Sequence, residues 1–261
     1  MKILINGSKG HMGAYVKQAV ERGYEGAEPA GFVDVTDNSL QEFTGPADCI
    51  IDFSHRAATK ALMDYAVARN MPIVVATTGQ TEEDMALIRQ AAKVIPVFRS
   101  GNMALGVTLM CDLVKTAVKA FPDADVEILE IHHTRKVDAP SGTAVMLGNA
   151  ALEARPDAHL TVGRPAGNAK RDKNEITIHS LRMGNIVGTH EVIINAGTQV
   201  ITLKHEALDR AMFAEGAITA ANFLVKQQPG LYSMDDLVKQ LEPHLSYPEW
   251  RTHSGYDSFS E

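Results

Sequence analysis

The sequence predicts two domains: an α/β domain with a parallel sheet, followed by an α+β domain with a mixed sheet. Over the first hundred residues, short apolar runs alternate with helical patterns, whereas after Asn102 apolar runs follow one another with few helices between them. Strands buried on both faces of a parallel sheet appear as apolar runs. Successive strands with few crossovers favour a mixed or antiparallel sheet.

The elements of the first domain follow from these runs. We predict strands at residues 2–6, 31–34, 49–53, 72–76 and 94–98, and helices near residues 12–22, 57–70 and 82–92. The βαβ order predicts right-handed crossovers and one parallel sheet.

The second domain begins near Asn102. We predict helices at about 105–120 and 144–154, a strand at 126–132, and further strands around Ile176, Val192 and Ile201. A helix over about 210–227, ended by Pro229 and Gly230, is expected to pack back against the first domain. From about Glu242 the sequence has neither helix nor strand period, and its aromatic residues predict a tail that docks on another surface.

Composition restricts the class of protein. The formal charge is −7, 45% of the residues are hydrophobic and 22% are charged, which is typical of a folded globular protein. A negative chain repels a phosphate backbone, so we expect no nucleic-acid partner. Cys49 and Cys111 match no metal or disulfide spacing. No signal peptide or membrane helix is predicted, and a cytoplasmic location is expected.

A glycine loop follows the first strand. Gly7-Ser8-Lys9-Gly10-His11-Met12-Gly13 has G-x-x-G-x-x-G spacing and leads into a helix. Such glycines allow a tight turn close to a pyrophosphate, which the free N–H groups of the helix start bind. The strand–loop–helix context predicts a Rossmann-like nucleotide site, although a structural turn has the same local pattern.

Asp34 stands at the end of the second strand, where a carboxylate accepts hydrogen bonds from an adenosine ribose. It would repel a 2′-phosphate, and the neighbouring Val35 adds no cation, so we expect NADH to be preferred over NADPH. Lys9 and His11 are the nearby groups that could favour NADPH. Two loops that follow strands, 76–79 and 100–103, are placed to border the same cofactor, or are ordinary turns.

A basic loop follows the strand at 126–132 and carries His132, His133 and Lys136. Pro140 disfavours helix before it and Ser141 is a good N-cap, so Gly142 and Thr143 should present free N–H groups to a carboxylate. We interpret this segment as a proton-transfer and anion-binding site. Metal binding by the paired histidines and an incidental charged loop are the alternatives, and we expect no metal.

The segment from Glu130 to Ala144 resembles the signature E-x-H-H-x-x-K-x-D-x-P-S-G-T-A of dihydrodipicolinate reductases at every specified position. The similarity extends to the glycine loop, to A-T-T-G and S-G-N-M at 76–79 and 100–103, and to residues 182–190, 204–205, 210 and 230–234. It covers the chain to about Leu241.

This resemblance implies reduction of the dehydrated form of 4-hydroxy-tetrahydrodipicolinate by NAD(P)H, on the diaminopimelate route to lysine. It implies proton chemistry by His132 and Lys136. Substrate binding would involve His133, Ser141, Gly142 and Thr143. The implied cofactor contacts are Gly7, Ser8, Lys9, Gly10, His11, Met12, Asp34, Ala76, Thr77, Thr78, Ser100, Gly101, Asn102 and Met103.

The resemblance also implies a homotetramer joined through the second sheet. Residues 1–103 with 211–261 would form the dinucleotide-binding domain, and residues 104–210 the substrate-binding and oligomerisation domain. The family often has arginine where His11 stands, which puts dual cofactor use in doubt. The alternatives are another dehydrogenase of this architecture, such as an aspartate or homoserine dehydrogenase, and a nucleotide sensor without catalysis.

Overall fold

The computed structural model describes residues 1–34 and 39–241. Two parts of the sequence considered above lie outside the described residues: Val35, beside the predicted ribose-binding Asp34, and the predicted docking tail after Leu241. The strands are β1 Lys2–Asn6, β2 Glu28–Val33, β3 Cys49–Asp52, β4 Ile73–Val75, β5 Pro96–Arg99, β6 Asp125–His132, β7 His159–Val162, β8 Glu175–Arg182, β9 Gly188–Asn195, β10 Val200–Ala207 and β11 Gly230–Tyr232. The helices are α1 His11–Glu21, α2 Thr59–Ala68, α3 Glu82–Ala91, α4 Leu105–Ala120, α5 Gly142–Ala154, α6 Ala211–Leu224 and α7 Met234–Leu241.

The first sheet has six strands in the order β11-β5-β4-β3-β1-β2, and every pair is parallel. Helices α1 and α6 cover one face, where Ile3, Ile51 and Phe98 are fully buried, and α2 and α3 cover the other. Burial on both faces explains why these strands are continuous apolar runs in the sequence.

The second sheet has the order β10-β9-β6-β8-β7 and is mixed. Strand β6 is parallel to β8 and antiparallel to β9. Helices α4 and α5 cover one face, and the alternating burial along β6 turns Val126, Ile128, Glu130 and His132 towards them. The helix-covered face therefore carries both the apolar core and two polar side chains at its end.

The predicted fold class is confirmed. Two strands and one helix, β7, β11 and α7, were not predicted from the sequence patterns. Strands β7 and β11 have four and three residues and lie at sheet edges. Such short strands depend on pairing with a neighbour, so they carry little local signal. Gly230, predicted only as a helix breaker, begins β11, which pairs with β5 and is followed by α7.

One cavity of about 880 Å³ lies between the carboxyl ends of the first sheet and the end of β6. Helix α6 packs against α1 and against β3 to β5, so the chain returns to the first sheet after β10. Within residues 1–34 and 39–241, no helix is long and apolar enough to cross a membrane.

Candidate active site

The glycine loop passes so close to its neighbours that side chains are excluded. Gly7 has φ of +80°, and a Cβ there would lie 2.6 Å from the carbonyl oxygen of Phe53. A Cβ on Gly13 would lie 2.0 Å from the carbonyl oxygen of Gly7. With Gly10 at its N-cap, α1 begins at His11, so its first N–H groups lie beside this bare backbone. This is a cradle suited to a pyrophosphate.

Asp34 lies beside the same loop. Its Oδ2 accepts a hydrogen bond from the backbone N–H of Lys9 at 3.2 Å. The carboxylate therefore stands at the carboxyl end of β2, next to the cradle, as a ribose-binding residue would.

The cavity wall brings together most of the predicted cofactor residues: Gly10, His11, Met12, Ala76, Thr77, Thr78, Gly101, Asn102 and Met103. It does not include Gly7, Ser8, Lys9, Asp34 or Ser100. Phe53, Ser54 and His55, after β3, also line the cavity and were not predicted.

A buried carboxylate ties these strand ends together. Asp52 is 2% exposed and accepts hydrogen bonds from the Asn6 amide at 2.8 Å, the Ser54 hydroxyl at 2.6 Å and the Thr77 hydroxyl at 2.7 Å. Burial raises the pKa of Asp52, and these hydrogen bonds oppose the shift. The network fixes two residues that line the cavity, Ser54 and Thr77.

His132 ends β6, and its Nδ1 lies 2.5 Å from Oε2 of Glu130. Glu130 is 0% exposed and forms a two-pronged pair with Arg182, with N···O distances of 3.0 and 2.9 Å. Burial alone would raise the pKa of Glu130, but the hydrogen bonds from Arg182 and His132 hold it below its usual value. Burial lowers the pKa of His132, and the Glu130 carboxylate opposes this shift.

Two neighbours on β9 hold the His132 ring. The ring of His190 lies edge-on to it, with centroids 5.1 Å apart, and a Cβ on Gly188 would lie 3.0 Å from His132 Nε2. Burial lowers the pKa of His190 to about 4. His190 is therefore neutral at pH 7, and its Nε2 lies 3.0 Å from the Ser141 hydroxyl.

Side chains alternate along a strand, so two consecutive strand residues such as His132 and His133 would face opposite ways. Both nevertheless line the cavity, because β6 ends at His132. Their partners differ: His133 Nε2 lies 3.2 Å from a guanidinium nitrogen of Arg210. Arg210 also lies 3.5 Å from Nδ1 of His11, so it connects the basic loop with the glycine loop. Partial burial and the cations Arg135 and Arg210 lower the pKa of His133.

The remaining loop residues also reach the cavity. Lys136 Nζ lies 2.9 Å from Oδ1 of Asp138. Ser141 caps α5 as predicted, since its hydroxyl accepts the N–H of Ala144 at 3.2 Å. Gly142 and Thr143 form the first turn of α5 and line the cavity.

Several site residues were not singled out from the sequence: Asp52, Glu130, Arg182, His190, His205 and Arg210. Most of them lie in the segments that carry the family resemblance, which was the available signal. Their contacts come from distant strands, so spacing alone could not reveal them. Among residues 1–34 and 39–241, no group of three or more His, Cys, Asp or Glu side chains could hold a metal ion.

A dinucleotide cradle lies at the carboxyl ends of a parallel sheet. Across one cavity it faces imidazole and ammonium groups and the start of α5. This arrangement defines a dinucleotide-dependent oxidoreductase. Two family models match the chain: dihydrodipicolinate reductase, N-terminus, over residues 1–103, and dihydrodipicolinate reductase, C-terminus, over residues 106–238. The chain belongs to the dihydrodipicolinate reductase family.

Similar proteins agree with this assignment. The chain is 42% identical to a 4-hydroxy-tetrahydrodipicolinate reductase of Caldanaerobacter subterraneus subsp. tengcongensis, covering 92% of this chain and 99% of that protein. It is 40% identical to the reductase of that name from Clostridium novyi, covering 91% and 98%. The solved dipicolinate-bound dihydrodipicolinate reductase from Paenisporosarcina sp. TG-14 has 26% identity and a TM-score of 0.73, covering 89% and 97%.

Proposed function

We propose that this protein reduces the dehydrated form of 4-hydroxy-tetrahydrodipicolinate to tetrahydrodipicolinate with NAD(P)H, on the diaminopimelate route to lysine. The observation that carries the proposal is one cavity that holds the glycine loop on one side and His132, Lys136 and the start of α5 on the other. The curated relatives named for this activity match over nearly their whole length.

The cofactor site would consist of the glycine loop, Asp34 and the loops at 76–78 and 100–103. The close backbone approach at Gly7 and Gly13 fits a pyrophosphate there. When bound, the nicotinamide supplies a hydride to the ring of the substrate. Ser54 and Thr77, which are held by Asp52, line the cavity that would hold the cofactor.

The substrate is a dicarboxylate, and the second domain offers groups of matching charge. Gly142 and Thr143 would bind one carboxylate through the free N–H groups of the α5 start, together with His133 and Ser141. Addition of hydride to a conjugated imine leaves an electron-rich enamine that must be protonated. Lys136 and His132 both line the cavity and would act as acids, His132 in its protonated form.

The deciding experiment is a coupled assay with pyruvate, aspartate semialdehyde and the preceding synthase, following oxidation of NADH or NADPH. Lys136→Ala should lower kcat by about 100-fold or more, with little change in cofactor binding, because a general acid contributes about 10²–10⁴-fold. Lys119→Ala, at the exposed end of α4, is the control. The proposal is wrong if the wild-type protein oxidises neither cofactor when substrate is supplied.

We further propose that NADH is the preferred cofactor, since Asp34 beside the cradle would repel a 2′-phosphate. The Michaelis constant for NADH should be below that for NADPH, and Asp34→Ser should narrow the difference. A lower constant for NADPH in the wild type would refute this preference.

We also propose a cytoplasmic homotetramer. Residues 1–103 and 211–261 would form its dinucleotide-binding domain, and residues 104–210 the domain for substrate and assembly.

The face of the second sheet opposite α4 and α5 carries exposed apolar side chains, including Leu181 and Val200. Burying such a face would favour association. Sedimentation analysis should give four times the 28.3 kDa chain mass, and a monomer would contradict the assembly.

A further inference from the structure

The Glu130–Arg182 pair lies under the basic loop, between β6 and β8. Glu130 contributes both carboxylate oxygens to the guanidinium of Arg182 and accepts the backbone N–H of Ser141 at 3.2 Å. The carboxylate is 0% exposed and the Arg182 side chain 20% exposed. An ion pair at this depth contributes little net stability, because both charges must be desolvated. Because the pair contacts the backbone of the loop, we consider whether it positions loop residues as well as joining β6 and β8.

On one side the pair holds His132. Oε2 of Glu130 is 2.5 Å from His132 Nδ1, so a carboxylate without a proton of its own keeps the imidazole proton on Nδ1. Nε2 is then the nitrogen left for a ligand in the cavity, and it carries the proton that the ring would donate when both nitrogens are protonated. His190 and Gly188 limit the ring to this orientation from the β9 side.

On the other side the pair holds the chain next to Lys136. One guanidinium nitrogen of Arg182 donates a hydrogen bond to the backbone carbonyl of Asp138 at 2.6 Å. The Asp138 carboxylate in turn lies 2.9 Å from Lys136 Nζ. Arg182 thus anchors the backbone of the residue that orients the ammonium group.

We propose that Glu130 and Arg182 are positioning residues that hold His132 and Lys136 together in one working arrangement. The inference rests on the proposed function, because it concerns the two groups assigned there to proton transfer. Neither member of the pair lines the cavity itself, so each acts through its partners.

The same strand provides a matched control. Glu127, on the opposite face of β6, pairs with His179 at 2.8 Å and with Arg171 at 3.1 Å. The Arg171 side chain is 21% exposed, close to the 20% of Arg182. This second cluster contains the same three residue types and lies outside the cavity wall.

The first test is Glu130→Gln, with Glu127→Gln as its control. Glu130→Gln should lower kcat at least about tenfold while the Michaelis constant for NADH changes less than about twofold. The groups around His132 are the cations Lys136 and Arg182 and the imidazoles of His133 and His190. Loss of the Glu130 charge lowers the pKa of His132 further, so the alkaline limb of kcat/KM should move to lower pH by about one unit.

The second test is Arg182→Lys, which keeps the charge but cannot form the two-pronged pair and the carbonyl bond at once. It should lower kcat as Glu130→Gln does, whereas Arg171→Lys, which alters a pair on the proposed assembly face, should change stability or assembly but not kcat. Nitrogen-15 NMR of labelled histidine, assigned with His132→Gln, gives a readout without turnover. In the wild type His132 should carry its proton on Nδ1, and in Glu130→Gln this preference should weaken.

The outcomes separate this inference from the proposed function. Activity in the wild type with an unshifted pH profile and an unchanged His132 tautomer in Glu130→Gln would overturn the positioning role. An equal kcat loss in Glu127→Gln would do the same, since it would reduce the effect to general destabilisation. A wild type without substrate-dependent oxidation, but with the expected tautomer change, would refute the function and leave the Glu130–His132 relationship intact.

Discussion

The side-chain amide of Asn102 donates a hydrogen bond to the hydroxyl of Thr143 at 3.0 Å. Asn102 belongs to the loop after β5, and Thr143 to the first turn of α5, so this bond connects the proposed cofactor and substrate sides of the cavity. The side-chain Oδ1 of Asn102 accepts the backbone N–H of Ala104 at 2.9 Å, which fixes the direction of the amide group. The bond therefore fixes the position of one side of the cavity relative to the other.

A double-mutant cycle should measure this connection. Asn102→Ala and Thr143→Val should each reduce kcat/KM, and the double variant should lose less than the sum of the two. A coupling of about 0.5–1.5 kcal/mol is expected for one partly buried hydrogen bond. Additive losses would show that the two residues act independently.

Gly188→Ala should impair turnover without unfolding the protein. The new Cβ would lie 3.0 Å from His132 Nε2, the nitrogen proposed to face a ligand, so the imidazole must shift. We expect kcat to fall by about tenfold, as when a general acid is misplaced. Gly45→Ala is the control, because its Cβ would meet the ring of Phe43 at the same 3.0 Å, far from the cavity. Comparable kinetic loss in both variants would contradict the explanation.

The residues of the proposed proton-transfer site could be singled out from the sequence more readily than the residues that support them. His132, Lys136 and the cap at Ser141 lie within one short segment, where spacing and capping preferences are informative. Glu130 and Arg182 are 52 positions apart and meet only because β6 and β8 are neighbours in the sheet. Periodicity predicted that strands exist in this region, but pairing order depends on tertiary packing that local patterns do not encode.

Loss of Asp52, which holds Ser54 and Thr77 in the cavity wall, should weaken cofactor binding. Asp52→Ala leaves the amide of Asn6 and the hydroxyls of Ser54 and Thr77 without their acceptor, which should reduce the free energy of unfolding by at least about 2 kcal/mol. Because Ser54 and Thr77 line the cavity, the Michaelis constant for NADH should also rise. Urea unfolding and initial-rate kinetics measure the two effects.

The control for Asp52 is Asp48→Ala, at the other end of the same strand. The exposed Asp48 carboxylate accepts only the backbone N–H of Lys2 among the hydrogen bonds of the described residues. Its loss should cost less stability and leave the Michaelis constant unchanged. An unchanged constant in Asp52→Ala as well would mean that Ser54 and Thr77 do not contribute to cofactor binding.

His190 should make the stability of the protein depend on pH. Burial, together with the neighbouring His132, His205 and Lys136, lowers its pKa to about 4, from 6.5, with Glu130 opposing. Between pH 6.5 and pH 4 the unfolded chain therefore binds a proton at His190 that the folded protein does not. The contribution of His190 to stability is present above pH 6.5 and is lost as the pH falls towards 4.

Between pH 7 and pH 5 this one group should reduce the free energy of unfolding by about 2 kcal/mol. In His190→Gln, which still offers a polar group to Ser141, the loss over the same interval should be smaller by that amount. His159→Gln, on the exposed edge strand β7, should keep the wild-type dependence. Urea unfolding at both pH values measures the difference, and equal losses in wild type and His190→Gln would mean that His190 is not held neutral by its burial.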